Sequence, residues 1–145
     1  TYTDLMEATR KSEGKTVADG IVSAARDIAE TTDDKAICCF SQSGTTARLV
    51  SRERPREPII ALANHIKTAR RLCLSWGTNC VVTGHVDRFK DAVIEAVRAA
   101  KAQDLATEED MVVVTAGVPF NTPGSTNILR VAPCAERLIY AGEQE

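Results

Sequence analysis

Short apolar runs alternate with longer segments of helical period along most of this chain. Val17, Ile21, Ala24, Ala25 and Ile28 recur at helical spacing and predict an amphipathic helix over 17–31. Ala18, Val22 and Ala29 widen its apolar stripe, as expected of a helix with contacts on more than one side. Thr16, with Asp19 three positions on, offers an N-cap in a capping-box pattern with Asp in place of Glu or Gln. Residues 36–40 (Ala-Ile-Cys-Cys-Phe) are short and apolar throughout, the profile of a central strand covered on both faces. A second helix follows over about 44–53 and ends before Arg54-Pro55. Pro58 then introduces a second strand, Ile59–Ala63. Asn64 offers an N-cap for a helix over 65–75, with Ile66, Ala69, Leu72 and Cys73 as its buried stripe and Gly77 as its stop.

Cys80-Val81-Val82 reads as a third, shorter strand. Phe89, Val93, Ala96, Val97 and Ala100 mark a long helix from about 86 to 103. After an acidic turn at 107–110, Met111-Val112-Val113-Val114-Thr115 is the strongest strand signal in the chain. A loop over 116–126 holds two glycines and two prolines. Asn127-Ile128-Leu129-Arg130-Val131 then alternates in polarity like an edge strand. Helices between strands imply an open α/β sheet covered on both faces, in three α/β/α layers. No helix separates the fourth strand from the fifth, so those two are expected to be antiparallel neighbours in a mixed five-stranded sheet. Residues 1–15 read as a linker or the end of a preceding region, 16–132 as the domain, and 133–145 as a tail whose greasy patch is Leu138, Ile139 and Tyr140.

Composition changes this picture little. The 145 residues are 43 % hydrophobic and 26 % charged, enough for one domain with a core of its own. A formal net charge of −2 gives no electrostatic case for nucleic acid or an anionic membrane as a partner. No run approaches the roughly 20 apolar residues of a membrane span, and the first residues given show no signal-peptide pattern. Five cysteines, at 38, 39, 73, 80 and 134, include no CxxC spacing. Cys38 and Cys39 are adjacent in a strand and must point to opposite faces, so they cannot share a metal. Reduced, buried thiols in a cytoplasmic protein are the expectation, with neither a disulfide framework nor a zinc site.

The chemistry concentrates where the first strand ends. Ser41, Gln42, Ser43, Gly44, Thr45 and Thr46 lead from a buried strand straight into a helix. Free backbone N–H groups and the positive end of the helix dipole meet there, which suits an anion. Four hydroxyls can donate further hydrogen bonds, and Gly44 permits close backbone approach. The same residues would serve equally as an ordinary helix cap, and both readings stand on spacing alone. There is no Walker lysine and no GxGxxG, so neither a triphosphatase nor a dinucleotide site follows. Arg48, Arg52, Arg54 and Arg56 form a basic run beyond the turn, read as solvated or interfacial, with Arg48 near enough to supplement an anion site. The 117–127 loop, rich in small hydroxyl residues, suits closure over a phosphorylated ligand or a plain connection. Both segments leave the carboxyl end of a strand and should share one rim, where ligands of open α/β sheets bind. His65 and His85 stand alone, and no carboxylate pair has metal-ligand spacing. The residues name no catalytic group.

Ser41-Gln42-Ser43-Gly44-Thr45-Thr46-Ala47-Arg48, Arg54-Pro55, Pro58-Ile59-Ile60-Ala61, Val112-Val113-Val114-Thr115-Ala116-Gly117-Val118-Pro119 and Pro123-Gly124-Ser125-Thr126-Asn127 together resemble the C-terminal domain of pyruvate kinase. The similarity runs in order from about residue 17 to 132. It implies a regulatory and oligomerisation domain of an enzyme that transfers phosphate between phosphoenolpyruvate and ADP in glycolysis. The magnesium and potassium of that enzyme belong to a catalytic barrel absent here, so no cofactor or metal is expected in this chain. The resemblance places an effector phosphate on Ser41, Gln42, Ser43, Gly44, Thr45 and Thr46. Its effector loop would carry Pro119, Thr122, Gly124, Ser125 and Thr126. Members regulated by fructose 1,6-bisphosphate hold the second phosphate with a tryptophan and an arginine. Ala92 stands at the arginine's position here and no tryptophan stands just before the 86–103 helix, with Arg88 or Lys90 as the basic residues nearby. A sugar monophosphate or AMP is therefore expected in preference to the bisphosphate, with homo-oligomer contacts, a tetramer in the family, as the protein partner. The polar opening at Thr1, without an initiating methionine, is expected of a piece of a longer chain. The alternative is a free-standing α/β protein of the same fold, phosphatase-like or purely structural.

Overall fold

The computed structural model describes residues 17–40, 45–63, 66–72, 78–84, 86, 88–117 and 126–141. In chain order these form α1 (Val17–Thr31), β1 (Ile37–Phe40), α2 (Thr45–Arg52), β2 (Ile59–Ala63), α3 (Ile66–Leu72), β3 (Thr78–Val82), α4 (Phe89–Ala102), β4 (Met111–Ala116), β5 (Ile128–Pro133) and α5 (Glu136–Ala141). The five strands form one sheet in the order β3-β2-β1-β4-β5. β1 pairs in parallel with β2 and β4, and β2 with β3, while β4 and β5 run antiparallel. The mixed three-layer α/β/α architecture expected from the alternation of elements is the one observed.

The sheet divides the core in two, and residue parity decides the side. Ile37, Cys39, Ile59, Ala61 and Val113 face Val22, Ala25 and Ala29 of α1 and Ala47 and Val50 of α2. Cys38, Phe40, Ile60, Leu62, Val112 and Val114 face Val93, Ala96, Val97 and Ala100 of α4. Every residue of β1 and β2 is buried, because helices cover both faces. Each fully buried Ile or Leu here contributes about 1.5–3 kcal/mol of apolar transfer.

Several details differ from the sequence reading, for physical reasons. In α1 the buried stripe is Val22, Ala25, Arg26 and Ala29. Small residues bring the helix close to the sheet, which turns Ile21, Ala24 and Ile28 to a half-buried flank and leaves Val17 69 % exposed. In α3, Ala69 is buried but Ile66 is 56 % exposed, so the first residue of the expected stripe faces outward. β3 begins at Thr78, its polar Thr78 and Asn79 recruited by pairing with Ile59 and Ile60. α4 starts at Phe89, after an extended Arg88 at its N-cap.

The expected tail carries structure. β5 continues to Pro133, and α5 follows with Ile139 buried in the α4-side core. The Arg98 Nε donates to Glu136 Oε1 at 2.7 Å and Nη2 to Oε2 at 3.4 Å, clamping α5 to α4. Leu138, grouped with Ile139 by sequence, is half exposed.

Candidate functional site

The place where this sheet can hold a ligand follows from its connections. From β1 the chain departs through α2 toward β2, on one side. From β4 it departs toward β5, on the other. β1 and β4 are adjacent and parallel, with Cys39 opposite Thr115. The carboxyl ends of these two strands therefore flank a point where the strand order reverses, and in open α/β sheets ligands bind in the crevice outside such a point.

The two candidate segments start at this crevice. Ser41, Gln42, Ser43 and Gly44 lie outside the described residues, but their anchors are clear: Phe40 ends β1 and Thr45 opens α2. Thr45 and Thr46 form the first helical positions. No acidic residue occupies the first turn of α2, so nothing on the helix compensates the positive end of its dipole. Arg48 is exposed on that turn. The second segment leaves Ala116 at the end of β4. The Asn127 amide donates to the Ala116 carbonyl at 3.1 Å and pins the two ends of the loop together. Pro119, Thr122, Gly124 and Ser125 lie outside the described residues, whereas Thr126 is buried beside the entry to β5.

The floor of the crevice contains a pair that sequence reasoning passed over. Thr115 is fully buried, and its hydroxyl finds no well-formed hydrogen-bond partner. The Cys39 thiol, its register partner, is the polar group beside it. Burial pushes the Cys39 thiol up to about 12, with the Thr115 contact pulling weakly the other way. Burial likewise raises Cys38 well above the ordinary thiol range, reinforced by Cys39 and Cys134. Burial first, then the Asp110 carboxylate, pushes Cys134 up to about 11. At neutral pH these thiols are protonated and poor nucleophiles. A hydroxyl ending the valine run of β4 was the available signal for Thr115.

α4 also begins at the carboxyl rim, since it follows β3. Arg88 is exposed at its N-cap, with no side-chain cap hydrogen bond. Ala92 is completely buried in the α4-side core, so a basic side chain at that position would have to displace core atoms. Among the described residues, no group of three or more His, Cys, Asp or Glu is placed to hold a metal ion. His65, His85, Trp76 and Cys73 lie outside the described residues. No described helix is long and apolar enough to cross a membrane.

Known proteins agree with this arrangement. The family model described as pyruvate kinase, alpha/beta domain, matches residues 19–132. A pyruvate kinase of Agrobacterium vitis is 41 % identical over 130 residues, covering 90 % of this chain and 27 % of that protein. A pyruvate kinase of Methylorubrum extorquens is 35 % identical over 131 residues, again covering 90 % of this chain and 27 % of the relative. The solved structure of Cryptosporidium parvum pyruvate kinase in complex with ADP superposes with a TM-score of 0.81 at 29 % identity, covering 92 % of this chain and 27 % of that one. The chain thus spans about a quarter of the length of the relatives it matches. α5 lies beyond the residues the family model matches. With the matched residues spanning all five strands and the helices between them, this chain belongs to the pyruvate kinase alpha/beta domain family.

Proposed function

We propose that this chain is the regulatory and oligomerisation domain of a pyruvate kinase, and that it binds a phosphorylated effector at residues 41–46. The observation that carries the reading is the position of α2. Its first turn carries no acidic residue, and it is the helix that follows buried β1 in the chain, at the strand-order reversal beside β4. A phosphate seated there would accept hydrogen bonds from the free backbone N–H groups of the first helical turn and from the hydroxyls of Ser41, Ser43, Thr45 and Thr46. The 117–126 loop leaves the neighbouring strand and would close over the rest of the ligand. Buried Ala92 supplies nothing to a second phosphate, which supports a sugar monophosphate or AMP over fructose 1,6-bisphosphate. The parent enzyme would transfer phosphate from phosphoenolpyruvate to ADP in the cytoplasm, with magnesium and potassium held by a barrel outside this chain.

Isothermal titration with AMP, glucose 6-phosphate and ribose 5-phosphate tests the site directly. Thr46→Val should weaken binding by about 1–3 kcal/mol while leaving the fold intact, the loss of one charge-assisted hydrogen bond plus desolvation. An unchanged affinity would mean that the hydroxyl only caps α2. Turnover of phosphoenolpyruvate by these 145 residues alone would sink the non-catalytic reading. One observation favours a second reading, pure assembly: the apolar flank of α1, formed by exposed Val17 and half-buried Ile21, Ala24 and Ile28. Failure of every phosphate, and of sulfate at high concentration, to bind would select it.

A further inference from the structure

The rim of the sheet opposite the crevice carries a cavity that the effector reading leaves unused. It measures about 210 Å³ and is lined by Lys101, Glu108, Ala135, Glu136 and Arg137. Three segments converge on it because β5 runs antiparallel to β4 and ends where β4 begins, with Pro133 opposite Met111. Lys101 comes from the last turn of α4, Glu108 from the turn before β4, and the other three from the start of α5. Ala135, Glu136 and Arg137 lie beyond the residues that the family model matches, so this wall is an addition to the matched domain.

Each wall is fixed by bonds that leave the cavity's remaining charges unused. The Cys134 amide donates to the Asp110 carbonyl at 2.9 Å and ties the lead-in of α5 to the turn. Asp110 closes that turn, its Oδ2 accepting from the Thr107 amide at 2.8 Å and from the Thr107 hydroxyl at 3.1 Å. Glu136 is engaged by Arg98 through the bonds at 2.7 and 3.4 Å that clamp α5 to α4. Lys101, Arg137 and Glu108 make no ion pair among the described residues. Two cations and one carboxylate therefore face a small cavity on a frame that is already ordered.

We propose that this cavity binds a small acidic amino acid, with its two carboxylates on Lys101 and Arg137 and its ammonium on Glu108. The charges select the class. A plain dicarboxylate satisfies both cations but sets its chain against Glu108, and a neutral sugar uses none of the three. Two carboxylates and one ammonium use them all, and the Arg137 guanidinium can grip a carboxylate through two parallel N–H bonds. The volume sets the size. It is several times a single water's share of about 30 Å³, yet falls below the roughly 300–1,000 Å³ of sites for drug-sized ligands.

Titration of the ¹⁵N-labelled chain with L-glutamate tests this, with glutarate, which lacks the ammonium, as the matched control. Glutamate should shift the backbone amides of Glu108, Ala135, Glu136 and Arg137 and leave those of Thr45 and Thr46 unmoved. Arg137→Gln should weaken glutamate about tenfold, through the loss of one charge-assisted pair. Glu108 is exposed on its turn, so Glu108→Gln leaves the frame intact. That variant should weaken glutamate about tenfold but strengthen glutarate. Glutarate binding the parent protein as tightly as glutamate, or Glu108→Gln acting alike on both ligands, would overturn the proposal. So would amides at 135–137 that stay unmoved at millimolar glutamate.

Discussion

β1 and β3 are parallel strands of one sheet, separated by β2, yet they do different work. β1 is buried at every position, between α1 and α2 on one face and α4 on the other. β3 ends the sheet, leaves Asn79 and Val82 exposed, and half-buries the rest. Stability is therefore concentrated where two layers meet a strand, and an edge can keep polar residues because the core asks little of it. The same contrast bears on the proposed effector site. The turn that leaves β1 is held by a rigid, doubly covered strand, which is the support a preorganised anion cradle needs.

The sharpest way to break that contrast is to shorten one side chain on each strand. Ile37→Ala removes three carbons from a fully buried position against Val22, Ala25 and Val113, and should cost about 2–5 kcal/mol. Val82→Ala, at a position 53 % exposed, should cost under about 0.5 kcal/mol. Urea unfolding of both proteins measures the difference. Comparable losses would mean that β3 is covered by something beyond the described residues.

α5 extends the comparison to the far edge. It is held to α4 by buried Ile139 and by the Arg98–Glu136 pair, whose partners are both solvent-accessible. The Arg98 hydrogen bond holds the Glu136 carboxyl below the ordinary carboxylate range. A depressed folded-state value makes the pair's contribution present above the ordinary range and lost as pH falls through the depressed value. Glu136→Gln should thus lower the melting temperature slightly at pH 7, and high salt should abolish most of the difference. A large, salt-independent loss would show that the pair orders α5 in addition to screening charge.

How much of this was written in the sequence tracks the same division. The 36–40 and Ile59–Ala63 runs announced β1 and β2 because a doubly covered strand has no polar positions to confuse the pattern. The antiparallel β4–β5 pairing followed from the missing helix between them. β3 was read two residues short because its first residues are polar and paired only on one side. α5 was missed because six residues around a single buried isoleucine show no period. The turn proposed to hold an anion was legible as residue types, whereas the reversal of strand order beside it is a property of topology.

The backbone pattern that closes the helices was not legible, and it supplies the smallest test. The sequence reading named one glycine stop, Gly77 after the 65–75 helix, whereas α1, α2 and α4 are each followed two positions on by a non-glycine residue in the left-handed region: Asp33 (φ 54°), Arg54 (φ 48°) and Asp104 (φ 57°). At α4 the full motif is present. The Asp104 amide donates to the Lys101 carbonyl at 3.1 Å, and the Leu105 amide to Ala100 at 3.0 Å, while Leu105 packs on the core. This is the Schellman pattern with aspartate where glycine is commonest. The conformation disfavours any residue with a Cβ, though aspartate tolerates it better than most. Asp104→Gly relieves that strain but widens the unfolded ensemble, so a net gain of only about 0.5 kcal/mol is expected. Because Asp104 is exposed and touches neither the sheet nor the crevice, the gain should leave phosphate binding unchanged. A loss of stability in Asp104→Gly would show that the aspartate side chain, rather than the backbone pattern, terminates α4.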